Sequence, residues 1–183
     1  MPLDSTLHRL QQYLKQFPEN ADAWMLAGNM AYLQADYTLA INNYRNAIAR
    51  QPTQSLYYSA LGAVYNVQNK PDSAQKYLEK AILLGDSSAY TYLNTALLYI
   101  KINNKTKSLA WADKAANNQK QIPSPVISAG ISFIYYKWKD EENSEKWLQK
   151  AMQLGLKDTF AFRQVLNGNK ELEVYYRETY PYL

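Results

Sequence analysis

The chain has 183 residues, 47% of them hydrophobic, a formal net charge of +4, a single His and no Cys. That length points to one domain with enough apolar residues for a buried core, and no run of about 18 apolar residues marks a membrane-spanning helix. Without Cys there is no disulfide framework or thiol chemistry, and one His cannot build a transition-metal set or a Cys/His pair.

In chain order, residues 5–17 read as a first helix. Asp4-Ser5-Thr6 offers an N-cap, Leu7, Leu10, Tyr13 and Leu14 form an apolar stripe, and Phe17-Pro18 ends it. Helix pairs follow, broken at Ala35-Asp36, Asn69-Lys70-Pro71, Asn103-Asn104 and Trp138-Lys139-Asp140. Pro71 suits a first helical turn, and Gly85 and Gly155 suit left-handed C-caps. Gln121-Ile122-Pro123-Ser124-Pro125 is the nearest thing to a linker and adds two residues to the spacing. Beyond residue 158, Phe160, Phe162, Val165 and Leu166 make a short helix stopped at Asn167-Gly168-Asn169, and Lys170 to Tyr180 makes a last one.

The pairs repeat every 34 residues. Trp24-Met25-Leu26-Ala27-Gly28 returns as Tyr58-Ser59-Ala60-Leu61-Gly62, and more weakly as Tyr92-Leu93-Asn94-Thr95-Ala96. Ala40, Tyr44 and Ala47 return as Ala74, Leu78 and Ala81, then as Ser108, Ala112 and Ala115. Gly28, Gly62 and Ala96 let helices approach closely while aromatics fill the space one turn away. A fixed period of this size means stacked supersecondary units.

These residues resemble the tetratricopeptide repeat (TPR) family, a helix–turn–helix unit of 34 residues. The resemblance implies an all-α, right-handed α-solenoid in one domain over residues 1–183. Its units are 21–54, 55–88, 89–122 and 125–158, with residues 5–17 as an N-terminal half-unit helix and 159–183 as C-terminal capping helices. The fourth unit is degenerate, with Ser128 in place of the leading aromatic.

Unit three holds Lys101, Lys105, Lys107, Lys114 and Lys120 against Asp113 alone, which accounts for the whole +4. Lys101, Lys105 and Lys107 sit around its inter-helix turn and form a candidate edge for an acidic partner. Nucleic acid is disfavoured, because no nucleic-acid motif is present and the lysines lack interleaved aromatics and Arg. No Gly-rich phosphate loop exists, and Asp140-Glu141-Glu142 lacks the alternating spacing of a cation loop. No cofactor, metal or catalytic residue is expected, and the chain reads as a non-enzyme.

The TPR resemblance places function on the concave surface lined by the first, or A, helix of each unit. The expected partner-binding groove comprises Met25, Asn29, Tyr32, Tyr90, Leu93, Leu97, Phe133 and Tyr136. Asp22, Leu56, Ser59, Ala63, Asn66, Ile100, Val126 and Ala129 stand at the same places. TPR domains that clamp a C-terminal carboxylate carry Lys and Asn residues of which only Asn29 is matched. Met25, Ala60, Tyr90 and Asn94 stand at the other places, so clamp binding is not expected. An apolar groove suits an amphipathic helix or an extended apolar segment. The expected role is a protein-interaction module, as adaptor, scaffold or assembly factor. The alternative is a self-associating scaffold whose groove holds its own C-terminal helix or another copy, a homo-oligomer. Met1-Pro2 leads into a polar helix, so a cytoplasmic place is expected as the chain stands, and a periplasmic one if a leader precedes it. The Asn, Lys and Tyr usage points to an AT-rich, bacterial source.

Overall fold

A computed structural model describes residues 3–119 and 122–156. Among the described residues there are nine α-helices and no strand. They are α1 (Leu3–Gln16), α2 (Ala21–Leu33), α3 (Tyr37–Arg50), α4 (Ser55–Val67), α5 (Pro71–Leu83), α6 (Ala89–Lys101), α7 (Lys105–Asn118), α8 (Pro125–Lys137) and α9 (Glu141–Gln153). The fold is an all-α helical-repeat solenoid of helix pairs: α2 with α3, α4 with α5, α6 with α7 and α8 with α9. Helix α1 begins at Leu3, so the cap expected at Asp4-Ser5-Thr6 falls inside the helix. The C-terminal helices expected over 159–183 lie outside the described residues.

One turn design closes every pair. The residue after the last helical turn is left-handed: Ala35, Asn69, Asn103 and Lys139 have φ of 59°, 57°, 54° and 59°. The next backbone N–H reaches back to the carbonyl five residues earlier. Asp36 donates to Ala31 (2.9 Å), Lys70 to Tyr65 (2.9 Å), Asn104 to Tyr99 (2.8 Å) and Asp140 to Tyr135 (3.0 Å). This six-to-one bond defines a Schellman end and satisfies an orphan carbonyl of the finished helix. Three of those donors then cap the following helix, where Asp36, Asn104 and Asp140 accept from the N–H of Leu39, Lys107 and Asn143. Gly85 and Gly155 take the same left-handed place after α5 and α9, at φ of 91° and 84°.

The chain divides into two compact units, Met1–Asp86 and Ser87–Leu183. In the first, Leu14, Ala23 and Ala27 pack with Leu10, Trp24, Met30 and Leu39, while Ala21, Ala47 and Tyr57 pack with Met25 and Ile48. Gly62 lets α4 approach α5 so closely that a Cβ there would lie 2.7 Å from Leu78 Cγ. The Pro18 carbonyl accepts from both Trp24 Nε1 and Arg50 Nε, and the Arg50 guanidinium lies 5.0 Å from the Trp24 ring centroid.

In the second unit, Leu93, Ala96, Ala112, Ala115, Ile127, Ile131 and Ile134 form one cluster. Ala129, Phe133, Leu148, Ala151 and Leu156 form another. Hydroxyls serve as small interior residues here. Ser108 Oγ donates to the Ala96 carbonyl (3.0 Å) and accepts from Trp138 Nε1 (3.1 Å), and Ser132 Oγ donates to the Ser144 carbonyl (2.8 Å). Such bonds keep buried polar atoms satisfied. The start of α8 is tied to the end of α7 by Gln119, whose Oε1 accepts from the Ser124 N–H (3.3 Å) and the Ser128 hydroxyl (3.4 Å).

Candidate partner-binding faces

Helix periodicity puts the expected groove residues on one stripe of each A helix, and burial separates them into surface and support. In the first unit, Met25, Asn29 and Tyr32 of α2 are half-buried and Asp22 is exposed. Two of these polar groups are held by tyrosines of later helices. Tyr44 Oη donates to Asn29 Oδ1 (2.8 Å), and Tyr57 Oη donates to Asp22 Oδ1 (2.7 Å). Each phenol is itself in the core, Tyr44 2% and Tyr57 1% exposed. The Asn29 and Asp22 side-chain oxygens are thus fixed by the fold itself. The Tyr32 ring leans on Tyr37, with centroids 5.9 Å apart. Burial, then the neighbouring Tyr37, pushes its phenol pKa up to about 12. On α4, Leu56 is 51% exposed, while Ser59 and Asn66 are buried.

In the second unit, Tyr90 at the start of α6 is 53% exposed, whereas Leu93 and Phe133 are only 5% exposed. Leu93 fills the space left by Gly130 of α8, where a Cβ would lie 2.6 Å from Leu93 Cδ2. Phe133 packs with Leu148 and Ala151 of α9. These two side chains support the face from beneath. Leu97, Ile100 and Tyr136 are half-buried above them and cover the Phe133 cluster. The exposed apolar surface of the face is thus the first turn of α6 together with the half-buried edges of Leu97 and Tyr136.

The three lysines of the expected basic edge go separate ways. Lys101 is partly desolvated, which lowers its pKa. Lys105 Nζ lies 3.5 Å from the Trp138 carbonyl oxygen and beside Asp140. The Asp140 carboxyl is held below its usual value first by hydrogen bonds from Asn143 and then by Lys105. Lys107 lies over Tyr99, 5.2 Å from the ring centroid.

The contact of Tyr57 with Asp22 has a sequence signal. Tyr57 follows Asp22 by 35 residues, one period plus one. The third place of the second repeat here meets the second place of the first.

Repeated helix pairs with small residues at close approaches, aromatics one turn away and a shared Schellman turn define a class of helical-repeat protein. The tetratricopeptide repeat family model matches residues 4–55 and 60–124, and the chain belongs to this family. A stretch of 67 residues is 37% identical to the Small glutamine-rich tetratricopeptide repeat-containing protein 2 of Saccharomyces cerevisiae. It covers 37% of this chain and 19% of that protein, so the match spans about a fifth of the relative's length. Among solved structures, a thermophilic TPR protein of Thermus thermophilus superposes with a TM-score of 0.77 at 18% identity, over 96% of this chain and 89% of that one. YrrB, described as a TPR protein with an unusual peptide-binding site, gives 0.55 at 14% identity, over 84% and 96%. At these identities the likeness is one of fold. TPR proteins generally mediate protein–protein interaction.

Among the described residues, no group of three or more His, Asp and Glu side chains is placed to hold a metal ion, and no helix is long and apolar enough to cross a membrane.

Proposed function

We propose that the chain is a protein-interaction module that takes a partner segment on the faces of its A helices. The observation that carries this reading is the pair Leu56 and Tyr90. Both stand at the second place of their repeat, on the first turn of an A helix, and they are 51% and 53% exposed. A large apolar side chain held in water at the same repeat place in both units is a contact residue in waiting. Met25, Asn29 and Tyr32 in the first unit, and Leu97 and Tyr136 in the second, extend each face. Leu93 and Phe133 hold the second face in shape. The occupant is an amphipathic helix or an extended apolar segment. A carboxylate clamp is not supported, because Met25, Ala60, Tyr90 and Asn94 replace the required cations and amides.

Affinity capture from the source cell, read against charge-matched controls, tests the reading. The double variant Leu56→Asp, Tyr90→Asp leaves both cores untouched and is expected to lose captured partners about tenfold or more, the loss of about 1.4 kcal/mol or more at a contact centre. Leu83→Asp is expected to change nothing, since Leu83 is 78% exposed at the end of the B helix α5. Capture by the double variant at the wild-type level would refute the proposal.

A further inference from the structure

A second surface lies along the α6–α7 pair, away from the A-helix stripe. On α7, Lys107, Trp111 and Lys114 stand at i, i+4 and i+7, one face of the helix. Each lysine is laid on an aromatic ring. Lys114 Nζ is 3.9 Å from the Trp111 ring centroid, and Lys107 Nζ is 5.2 Å from that of Tyr99. Tyr92 of α6 backs the middle of the stripe, its ring 5.4 Å from that of Trp111. Both lysines are exposed. Among the described residues neither has a carboxylate within ion-pair range. The nearest acid in sequence, Asp113, accepts a hydrogen bond from the Tyr135 hydroxyl (3.1 Å). Beside Lys114, a recess of about 370 Å³ is lined by Tyr92, Lys114, Asn117 and Asn118. Asn118 is fixed there by its Nδ2 bond to the Ser87 carbonyl (2.7 Å).

A cation resting on a ring is held in one place, so less rotamer freedom is lost when it meets an anion. The arrangement is particular to this pair. At the places of Lys107 and Lys114, α5 has Ser73 and Lys80, α3 has Leu39 and Asn46, and α9 has Asn143 and Lys150. The aromatic at the Trp111 place is present as Tyr77 in α5 and Trp147 in α9. Only α7 puts an ammonium at both ends of the stripe.

We propose that this stripe docks an acidic amphipathic helix of a partner protein. Seven residues of α-helix rise about 10.5 Å. A helix lying along α7 with Glu at two positions seven apart brings one carboxylate to Lys107 and the other to Lys114. An apolar residue between them lies on Trp111. The carboxylate at the Lys114 end also meets the amides of Asn117 and Asn118. An acidic occupant matches the charge here, because the positive excess of the whole chain is confined to residues 101–120. The surface is independent of the A-helix faces, so either proposal can fail alone.

The test is titration calorimetry at low salt with the full chain. The probe is an Ala-rich helical peptide of about 20 residues, long enough to hold a helix, with two Glu seven apart and a Leu between them. Its scrambled isomer has the same charge. The ordered peptide is expected to bind about tenfold more tightly than the isomer. Lys107→Gln with Lys114→Gln is expected to weaken it about tenfold or more, and Trp111→Leu several-fold. Lys76→Gln with Lys80→Gln, which removes the same charge from α5, is expected to leave it within about twofold. The proposal is overturned if the two peptides bind alike, if both double variants weaken binding equally, or if the ordered peptide does not bind. Leu56→Asp with Tyr90→Asp is expected to leave this titration within about twofold while lowering capture on the A-helix faces about tenfold or more.

Discussion

Replacing Leu78 by Ala is expected to lower the stability of the first unit by about 3 kcal/mol, within the usual range of about 2–5 for buried Leu. Leu78 is fully buried, and it sits directly under the glycine that brings α4 onto α5. The Leu is too close to admit a Cβ at Gly62 and too central for neighbouring side chains to collapse into its place. The converse substitution is informative. Gly62→Val forces a whole isopropyl group into the same space and is expected to cost about 2–3 kcal/mol through overpacking. In the combined variant the Val occupies part of the volume the Leu has left. Its cost is expected to fall clearly below the sum of the two singles, since residues in contact do not add. Urea unfolding of the four proteins measures this. Strict additivity would show that the two residues do not share one packed space. Against a total of about 5–15 kcal/mol for a domain, either single change is a large fraction.

The second large effect is loss of structure at high pH. Burial raises four phenols. Tyr32 and Tyr57 are pushed up to about 12, and Tyr44 is raised as well. After burial, Tyr57 is raised further by its hydrogen bond to Asp22 and by that charge. Tyr135 of the second unit is pushed up to about 12, by burial and then by Asp113. In the unfolded chain these groups titrate near 10. The folded state favours their neutral form, so their contribution is whole below pH about 10 and is lost as pH climbs from about 10 to 12. The melting temperature is expected to fall steeply across that window. The first unit, with three of the four groups, is expected to unfold before the second. Phenolate absorbance and helical circular dichroism followed together check this. Ionisation of all tyrosines near pH 10 with the helices intact would contradict it.

Much of this was readable in the sequence because the period does double work. It fixes which residues share a helix face, and its breaks fix the turns. Ala35, Asn69, Asn103 and Lys139 are the left-handed residues of four like turns, and each lies within one of the expected breaks. For Asn69 and Asn103 the chemistry alone is a signal, since Asn tolerates that region; for Ala35 and Lys139 only the register is. The glycines at Gly28 and Gly62 were legible as close approaches for the same reason.

What the sequence could not supply was depth. Periodicity puts Leu93 and Tyr90 on one stripe, yet they are 5% and 53% exposed. Leu93 is dry because Gly130, on another helix 37 residues away, makes room for it. Phe133 is likewise covered by α9. Hydropathy of a residue says that it prefers to be dry, and the neighbouring helix decides whether it is. The ring-mounted lysines were hidden for a similar reason. Counting charge around one turn groups Lys107 with Lys101 and Lys105, whereas α7 geometry pairs it with Lys114.

Partner binding is proposed on the A-helix faces. Site-specific photo-crosslinking tests it most directly, with a benzoylphenylalanine placed in turn at Leu56, Tyr90 and Leu83 of the otherwise unaltered chain. Adducts with the same partner are expected from Leu56 and Tyr90 and none from Leu83. Adducts from Leu83 alone, or equally from all three, would contradict it.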